Sequence, residues 1–492
     1  MRLHGGRLVA LLARTVVGLA LLEVVVRLAA GLGLVSLPAG GIAGLDLILH
    51  GRDASDEVRL LVPDRHLIQR MRPLVELDYP RTLQLDGRPQ RYTVRTNPQG
   101  FRGSPFDTAK APGVFRIVCL GDSSTFGFNV EESDSYPAVL QRLLDESHPG
   151  RFEVINLGVP GYSGRQGLEL LRRQALALSP DLVTFGFGTN DRFFPAPMTD
   201  DALMRFQDSP TGAALYTARA LLDRSYVYRL LKRMVDSALP RPKAGGGEKR
   251  VTLDGIAENI AEVQTLVSAQ GASLLVLNHD LAGTDAVQGM RTGTQRAAVP
   301  LLDMQAALLA AKQQRGAALA ATLGLPAAPA MPPGRLLVRV HAPGRDAVEM
   351  EYERLLRPAQ KLALRDDGGG DDQVSGDAVF SGSIAATTGE WFFYHYGAAA
   401  PGGPLSEFPR REVFPMKRIQ FVPADGVAAL DEFADPVYYA DSSHTDEAGH
   451  RLFAERLRDA VLATPAVQAI LAKQPGPLRA TASELRSPTA RR

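Results

Sequence analysis

Cysteine is almost absent from this sequence: in a chain of 492 residues, Cys119 is the only one. A single thiol excludes an intramolecular disulfide and any metal site built from several cysteines. It does not fix the compartment, because an exported protein does not need disulfides.

An excess of charge of either sign is also missing. Lysine and arginine total 55 against 54 acidic residues, which leaves a net charge of +1. Without a basic excess there is no general electrostatic attraction to nucleic acid, so we predict no nucleic-acid partner. The hydrophobic fraction of 45% over this length is enough for a large core and for more than one folded unit.

Apolar residues are abundant at the start of the chain. Residues 8–35 are long enough for a membrane-spanning helix, and the basic residues before them are typical of a flank that stays in the cytoplasm. Arg14, Glu23 and Arg27 interrupt the segment. Glu23 and Arg27 are four apart, so they can pair on one helical face, while Arg14 can extend toward the basic end.

Two other interpretations of this segment stay open. The small residues "LAAG" at 28–31 are compatible with signal-peptide cleavage, and a buried helix of a soluble protein is the plainest alternative. We expect residues 1–35 to be a membrane anchor or signal segment, with the folded remainder of the chain outside the cytoplasm, in the periplasm or extracellular space.

From residue 115 onward, short apolar runs alternate with amphipathic segments such as 136–146, 165–178 and 252–269. This alternation predicts a parallel sheet covered by helices, in which reactive groups collect at the carboxyl ends of the strands. The predicted strands are residues 115–120, 152–156, 181–187, 272–278 and 299–304.

Polar motifs follow these strands, and each alone has a structural explanation. "GDSS" at 121–124 can be a glycine turn with a helix cap, and "GTND" at 188–191 can be a turn. The chain contains neither the G-x-S-x-G motif of α/β-hydrolases nor the H-E-x-x-H motif of zinc proteases, and His444 and His450 do not have zinc-ligand spacing. We therefore predict no metal site and no cofactor.

Taken together and in order, the motifs resemble the four sequence blocks of the SGNH, or GDSL, hydrolase family. The blocks are Gly121-Asp122-Ser123, residues 156–161 with Asn156 and Gly161 at their ends, Gly188-Thr189-Asn190-Asp191, and Asp441-Ser442-Ser443-His444. Ser124 occupies the fourth position of the first block, where the GDSL motif that names the family has leucine. The resemblance implies a three-layer α/β/α, flavodoxin-like parallel sheet and an esterase or lipase activity.

The chemistry of ester hydrolysis needs these residue types. A serine hydroxyl is a poor nucleophile until a base removes its proton, so Ser123 is the candidate nucleophile and His444 the candidate base. Asp441 lies three residues before His444 and can orient its imidazole. The family resemblance implies an oxyanion hole formed by the backbone N–H groups of Ser123 and Gly161 and the side-chain amide of Asn190.

The spacing of the blocks predicts insertions, because Asn190 and Asp441 lie 251 positions apart. Residues 192–250 contain a predicted amphipathic helix at 216–234. Residues 334–415 show β-type runs joined by glycine and aspartate turns and predict a small inserted β-sandwich. The predicted organisation is a segment at 1–35, an N-terminal extension at 36–110, a hydrolase domain at 111–333 and 416–475 with a helical insert at 192–250, a sandwich at 334–415, and a disordered tail at 476–492.

Two features of the predicted sandwich suggest binding, with structural alternatives. The aspartates of the turn at 366–381 are compatible with calcium, although the spacing is not that of an EF-hand and a solvated turn is the favoured interpretation. The aromatic residues of 391–396 are compatible with a sugar-stacking surface, but alternating aromatics in a strand are favoured as core.

These observations predict a serine ester hydrolase that removes an O-acyl group, for example acetyl, from a small molecule or a glycan through an acyl-enzyme on Ser123. An O-acyltransferase acting on an exported polysaccharide with the same triad is one alternative. A non-catalytic glycan-binding protein is the other, although the complete set of catalytic side chains argues against it. The oligomeric state is left open.

Overall fold

The structure is a computed structural model of the whole chain. It describes residues 3–32, 34–35, 60–80, 91–193, 195–238, 247–279, 284–328, 331–354, 358–399, 418–433 and 444–472. The predictions made for Asp441 and for the tail at 476–492 lie outside the described residues.

The strands are β1 Leu61–Asp64, β2 Ile68–Met71, β3 Glu76–Pro80, β4 Arg91–Arg95, β5 Phe115–Gly121, β6 Phe152–Gly158, β7 Leu182–Gly186, β8 Pro195–Ala196, β9 Glu248–Lys249, β10 Ser273–Asn278, β11 Leu301–Asp303, β12 Arg335–His341, β13 Ala347–Glu353, β14 Gln360–Leu364, β15 Val379–Ala385, β16 Trp391–Ala399, β17 Arg418–Phe421 and β18 Asp431–Glu432. The helices are α1 Leu3–Gly31, α2 Ser123–Phe126, α3 Tyr136–Ser147, α4 Gly164–Leu170, α5 Thr189–Arg192, α6 Asp200–Asp208, α7 Pro210–Leu222, α8 Tyr226–Ala238, α9 Leu253–Ser268, α10 Ala286–Ala297, α11 Met304–Thr322, α12 Glu447–Leu462 and α13 Pro465–Leu471.

A five-stranded sheet in the order β11-β10-β7-β5-β6 forms the centre of the fold, and all its neighbouring strands are parallel. This is the strand order of flavodoxin-like sheets, in which ligands bind where the order reverses, between the first and third strands. Here those strands are β5 and β7. The predicted fold class and all five predicted strands are confirmed.

Helices cover both faces of this sheet. On one face, apolar side chains of β5 and β7 share a buried cluster with side chains of α3, α11 and α12. On the other face, α4, α9 and α10 pack together over buried residues such as Val183 and Phe185. Because both faces are covered, every residue of β5 is buried, and this is why the strand appears in the sequence as an unbroken apolar run.

The segment predicted as a β-sandwich contains two small sheets, one in the order β15-β12-β18 and one in the order β14-β13-β16-β17. Side chains from both sheets form one buried cluster. The sheets extend past residue 415, the end that we predicted, because β17 and β18 pair with β16 and β12. Phe392, Phe393, Tyr394 and Tyr396 are all buried, so these four side chains belong to the core and do not form a sugar-stacking surface.

The chain divides into two compact units, one made of Met1–Val75 and Phe194–Arg250 and the other of Glu76–Phe193 and Val251–Arg492. The region predicted as a helical insert in the hydrolase domain therefore groups with the N-terminal segment. The single helix predicted at 216–234 is two helices, α7 and α8, separated by residues 223–225.

The predicted membrane segment is helical, as α1. In the part of the chain that the structure describes, however, no helix combines the length and the apolar character needed to cross a membrane. Arg14, Glu23 and Arg27 are the charged residues that interrupt α1 between residues 13 and 31. The expectation of a spanning helix is therefore not supported.

The predicted pairing of Glu23 with Arg27 is present, at 2.8 Å. Glu23 also accepts hydrogen bonds from the backbone N–H groups of Tyr226 and Val227, at 2.8 and 3.0 Å, where α8 begins. Arg27 donates to the carbonyl of Arg224 at 2.9 Å. The two charged side chains of α1 thus hold the start of α8, because a carboxylate satisfies the free N–H groups of a helix N-terminus.

Candidate active site

Ser123 stands at the end of β5, as the first residue of α2. Asp122 caps this helix by accepting a hydrogen bond from the N–H of Ser124 at 2.9 Å. Gly121 leaves room for the turn: a Cβ there would lie 1.9 Å from Thr125 Oγ1 and 2.8 Å from the carbonyl oxygen of Gly186. The glycine and the aspartate of the motif thus have structural roles that place the serine at the carboxyl end of the strand.

The end of β6 packs directly against α2. A Cβ on Gly158 would lie 2.3 Å from the backbone nitrogen of Phe126, closer than any real contact. Only glycine allows this approach, so β6 and the helix that carries Ser123 are held in close contact.

His444 reaches Ser123 from the other end of the sequence. Its Nε2 lies 2.8 Å from Ser123 Oγ, a distance for a good hydrogen bond, and both residues are half-buried. His444 precedes α12, whose N-terminus is capped by Asp446, which accepts from the N–H of Gly449 at 2.9 Å. The structure therefore brings together the candidate nucleophile and the candidate base, while Asp441 lies outside the described residues and its role stays a prediction.

Gly161 and Asn190, the two other predicted oxyanion-hole residues, are linked because the Asn190 side chain donates a hydrogen bond to the residue that follows Gly161. Gly161 has a φ of +76°, a conformation that favours glycine, in the loop after β6. Asn190 is buried in α5, and its Nδ2 donates to the carbonyl of the next residue, Tyr162, at 3.0 Å. The same Nδ2 lies 3.4 Å from Asp122 Oδ2, at the long limit for a hydrogen bond.

Four other polar side chains, those of Cys119, Tyr136, His279 and His450, are buried and stay neutral. Burial lowers the pKa of His279 to about 3, and burial with neighbouring positive charges lowers that of His450 to about 3. Burial also raises the pKa of Cys119 to about 12 and that of Tyr136 well above its usual range. None of these groups is suited to take a proton from Ser123 at neutral pH.

The aspartate-rich turn brings three carboxylates together. Side-chain oxygens of Asp366, Asp372 and Asp377 lie within 4.8 Å of one another. Asp366 accepts hydrogen bonds from the N–H groups of Gly376 and Ala378, at 2.7 and 3.0 Å, and Asp372 accepts from Gly368 at 2.6 Å. These contacts give the aspartates a structural role in the turn.

Sequence reasoning missed two residues outside the motifs, one that contacts His444 and one that bonds to the loop carrying the first. Phe128 packs against the imidazole of His444, with ring centroids 4.8 Å apart. Arg102 is buried and bonds to the loop that carries Phe128. Arg102 lies in the segment "GFRG" at 100–103, and nothing in its spacing links it to the catalytic motifs.

The site thus has a serine, a histidine and an amide at the carboxyl ends of the central strands of a flavodoxin-like sheet, which is the arrangement of a serine hydrolase. Residues 119–341, somewhat less than half of the chain, match the model of the GDSL-like Lipase/Acylhydrolase family. This part of the chain is similar to that family, and the chain is an enzyme that hydrolyses ester bonds.

Solved structures are also similar to part of the chain. An acetyl xylan esterase is 14% identical over 42% of this chain and 84% of its own, with a TM-score of 0.27. A lipase/acylhydrolase from Enterococcus faecalis is 18% identical over 38% and 75%, with a TM-score of 0.23. A catalytic mutant of an acetylxylan esterase from Geobacillus stearothermophilus is 15% identical over 39% and 77%, with a TM-score of 0.23. No curated protein matches the chain.

Proposed function

We propose that this chain is a serine esterase in which Ser123 attacks the ester carbonyl and His444 accepts the hydroxyl proton. The observation that carries the proposal is the 2.8 Å contact between Ser123 Oγ and His444 Nε2. The ester oxygen becomes negatively charged as the Ser123 Oγ–carbon bond forms. The N–H groups of Ser123 and Gly161 and the Asn190 amide are the donors proposed to stabilise it.

The remaining steps follow from the same groups. His444 gives its proton to the leaving alcohol as the ester bond breaks, which leaves an acyl group on Ser123. Water then attacks the acyl-enzyme with His444 again as the base, the bond from the acyl carbon to Ser123 Oγ breaks as His444 returns the proton to that oxygen, and the acid product leaves. Asp441 is proposed to orient the imidazole and to stabilise its charged form during both steps.

For the substrate, we propose an O-acyl group, in particular acetyl, carried by a glycan. Ser123 and His444 are both partly exposed, so an ester attached to a large molecule can reach the nucleophile from solvent. Release of acetate from acetylated glycans, measured with and without an added sugar acceptor, tests this substrate. Acetyl transfer to the acceptor in place of acetate release would identify a transferase that uses the same triad.

The assignment of Ser123 as the nucleophile is tested by comparing alanine variants of the two neighbouring serines. Ser123→Ala should lower esterase activity on an aryl acetate by several decades, on the order of the losses seen when a triad member is deleted. Ser124→Ala is the matched control and should keep most activity, because Ser124 is buried and only its backbone N–H contacts Asp122. A fluorophosphonate should label Ser123 alone, and labelling at Ser124 would overturn the mechanism.

We also propose that α1 attaches the enzyme to a membrane, with the catalytic domain outside the cytoplasm. Most of its aliphatic side chains between residues 16 and 28 are exposed, including Leu21 and Val25. Such a surface is unusual in water and is suited to contact with lipid.

Membrane attachment is tested with charges placed on α1. Leu21→Asp with Val25→Asp should move the protein from sedimented membranes to the supernatant, whereas Leu74→Asp, at an exposed leucine outside α1, should not. A reporter fused after residue 492 should be active outside the cytoplasm. Cytoplasmic reporter activity, or equal sedimentation of all the variants, would contradict the proposal.

A further inference from the structure

Arg102 is buried, with 1% of its surface exposed, in the segment that follows β4. Its guanidinium donates to backbone carbonyls at the end of α2 and in the loop after it: to Phe126 at 3.2 Å, to Val130 at 2.7 Å, and to Gly127. It also donates to the carbonyl of Thr93, at 3.2 Å, in β4. One side chain thus ties the loop at 126–130 to the hairpin of β3 and β4.

The backbone of the loop at 126–130 is in an unfavourable conformation that hydrogen bonds from Arg102 can stabilise. Gly127 and Asn129 both have left-handed backbone angles, with φ of +84° and +71°. A Cβ on Gly127 would lie 2.6 Å from Ser135 Cβ and 3.1 Å from the Nη1 of Arg102. The planar guanidinium presents five donors in one fork, so it can bond to several carbonyls at once, which the three donors of a lysine ammonium cannot match in geometry.

Phe128 is the residue between these two left-handed positions. Its ring contacts His444, with centroids 4.8 Å apart and an angle of 36° between the planes. Behind it, Tyr79 of β3 and Tyr92 of β4 contact the same ring edge-on, at 6.2 and 6.1 Å. Phe128 is therefore held between the hairpin and the candidate base.

The orientation of His444 depends on contacts made by its side chain. It lies before α12 begins, so no helix backbone fixes its orientation. A ring rotation that moved Nε2 by about 1 Å would break the alignment with Ser123 Oγ, and misplacements of this size cost on the order of 10²-fold in rate.

We infer that Arg102 and Phe128 are positioning residues for the proposed ester hydrolysis. Arg102 sets the loop at 126–130, and the loop presses the Phe128 ring against His444, so that Nε2 faces the hydroxyl of Ser123. The inference rests on the proposed function of Ser123 and His444, and it gives the hairpin before the hydrolase domain a part in the reaction.

Phe128 variants provide the first test, with an aryl acetate as substrate and each enzyme quantified by fluorophosphonate titration. Phe128→Leu should lower kcat by about 10- to 100-fold with KM changed little, because the support for the base is lost while substrate contacts remain. Phe128→Tyr keeps the ring and should restore most of kcat. Phe106→Leu removes a half-buried ring that contacts Phe101 and is the control, for which kcat should be unchanged.

Arg102 is tested against another buried arginine. Arg116 in β5 is fully buried and donates to the carbonyls of Thr108 and Leu178, at 2.9 and 2.6 Å. Arg102→Lys and Arg116→Lys should both lower the melting temperature, but only Arg102→Lys should lower kcat of the titrated enzyme, by about tenfold or more.

The results separate this inference from the proposed function. If the wild type shows no Ser123-dependent activity or labelling, the proposed function fails. If the wild type is active and labelled but Phe128→Leu keeps kcat within about twofold, the positioning role is overturned. It is also overturned if Phe128→Tyr is as slow as Phe128→Leu, or if Arg116→Lys loses as much kcat as Arg102→Lys. Should Arg102→Lys fail to fold, the half-exposed Phe128 still decides the question.

Discussion

Acid should destabilise this protein through two buried histidines, and His279→Leu should remove about half of that effect. In the part of the chain that the structure describes, neither ring nitrogen of His279 has a hydrogen-bond partner. Its ring lies between those of Tyr136 and Phe453, with centroids at 5.4 and 5.3 Å. His450 is also buried, and its Nδ1 accepts from the N–H of Tyr136 at 3.2 Å.

The magnitude follows from the pKa values. Burial lowers the pKa of His279 from 6.5 to about 3. Burial, and then the charges of His279, Arg102 and His444, lower that of His450 to about 3. Between these values the unfolded chain binds protons that the folded chain excludes, so the free energy of unfolding falls as the pH falls. Each histidine contributes about 1.4 kcal/mol per pH unit, or about 2 kcal/mol by pH 5 and about 4 kcal/mol for the pair.

Urea denaturation followed by circular dichroism, at about pH 8 and about pH 5, measures this loss. His279→Leu places an apolar side chain of similar volume among apolar neighbours, so the loss between the two pH values should shrink by about 2 kcal/mol. His148→Leu, at the end of α3 where the residue is half-exposed, is the control and should keep the wild-type loss. An unchanged pH dependence in His279→Leu would refute the reasoning.

Two further outcomes are expected. Asn190→Ala should lower kcat on an aryl acetate by about 10²- to 10³-fold with little change in KM, because its amide is expected to bond the oxyanion more strongly than the ground-state ester; equal losses in kcat and binding would contradict this role. Phe393→Ala should lower the free energy of unfolding by about 3–5 kcal/mol, measured by urea denaturation. Phe393 belongs to the buried cluster that also holds Met304 and Leu308, so a loss below about 1 kcal/mol would show that the small sheets do not share the hydrolase core.

The central sheet could be predicted because its strands are buried on both faces. β5 and β10 are apolar runs bounded by turn residues, and such runs are visible without knowledge of their neighbours. The strand β5 could be predicted despite the charged Arg116 within it. In the structure this charge is paired with Glu153 at 2.8 Å. The break between α7 and α8 could not be predicted, because the capping carboxylate of Glu23 comes from a helix about 200 positions earlier.

The candidate site divides in the same way. Ser123, Gly161 and Asn190 each lie within a few residues of a strand end, so local order in the sequence places them at one edge of the sheet. Arg102 and Phe128 act through contacts between separate elements. Neither their residue types nor their spacing in the sequence predicts these contacts. A buried arginine that bonds to carbonyls has no sequence signature, because arginine is usually a surface residue.

The long separation of the candidate nucleophile and the candidate base is compatible with an accurate site because the core, and not the connecting chain, positions His444. His444 precedes α12, whose Phe453, Leu457 and Val461 lie in the same buried cluster as β5. Loop-closure entropy grows only with the logarithm of loop length, so an insertion of this size between the blocks carries a small penalty. Packing of α12 against α3 then places His444 near Ser123, and the contact with Phe128 is proposed to act beside Asp441 in orienting the ring.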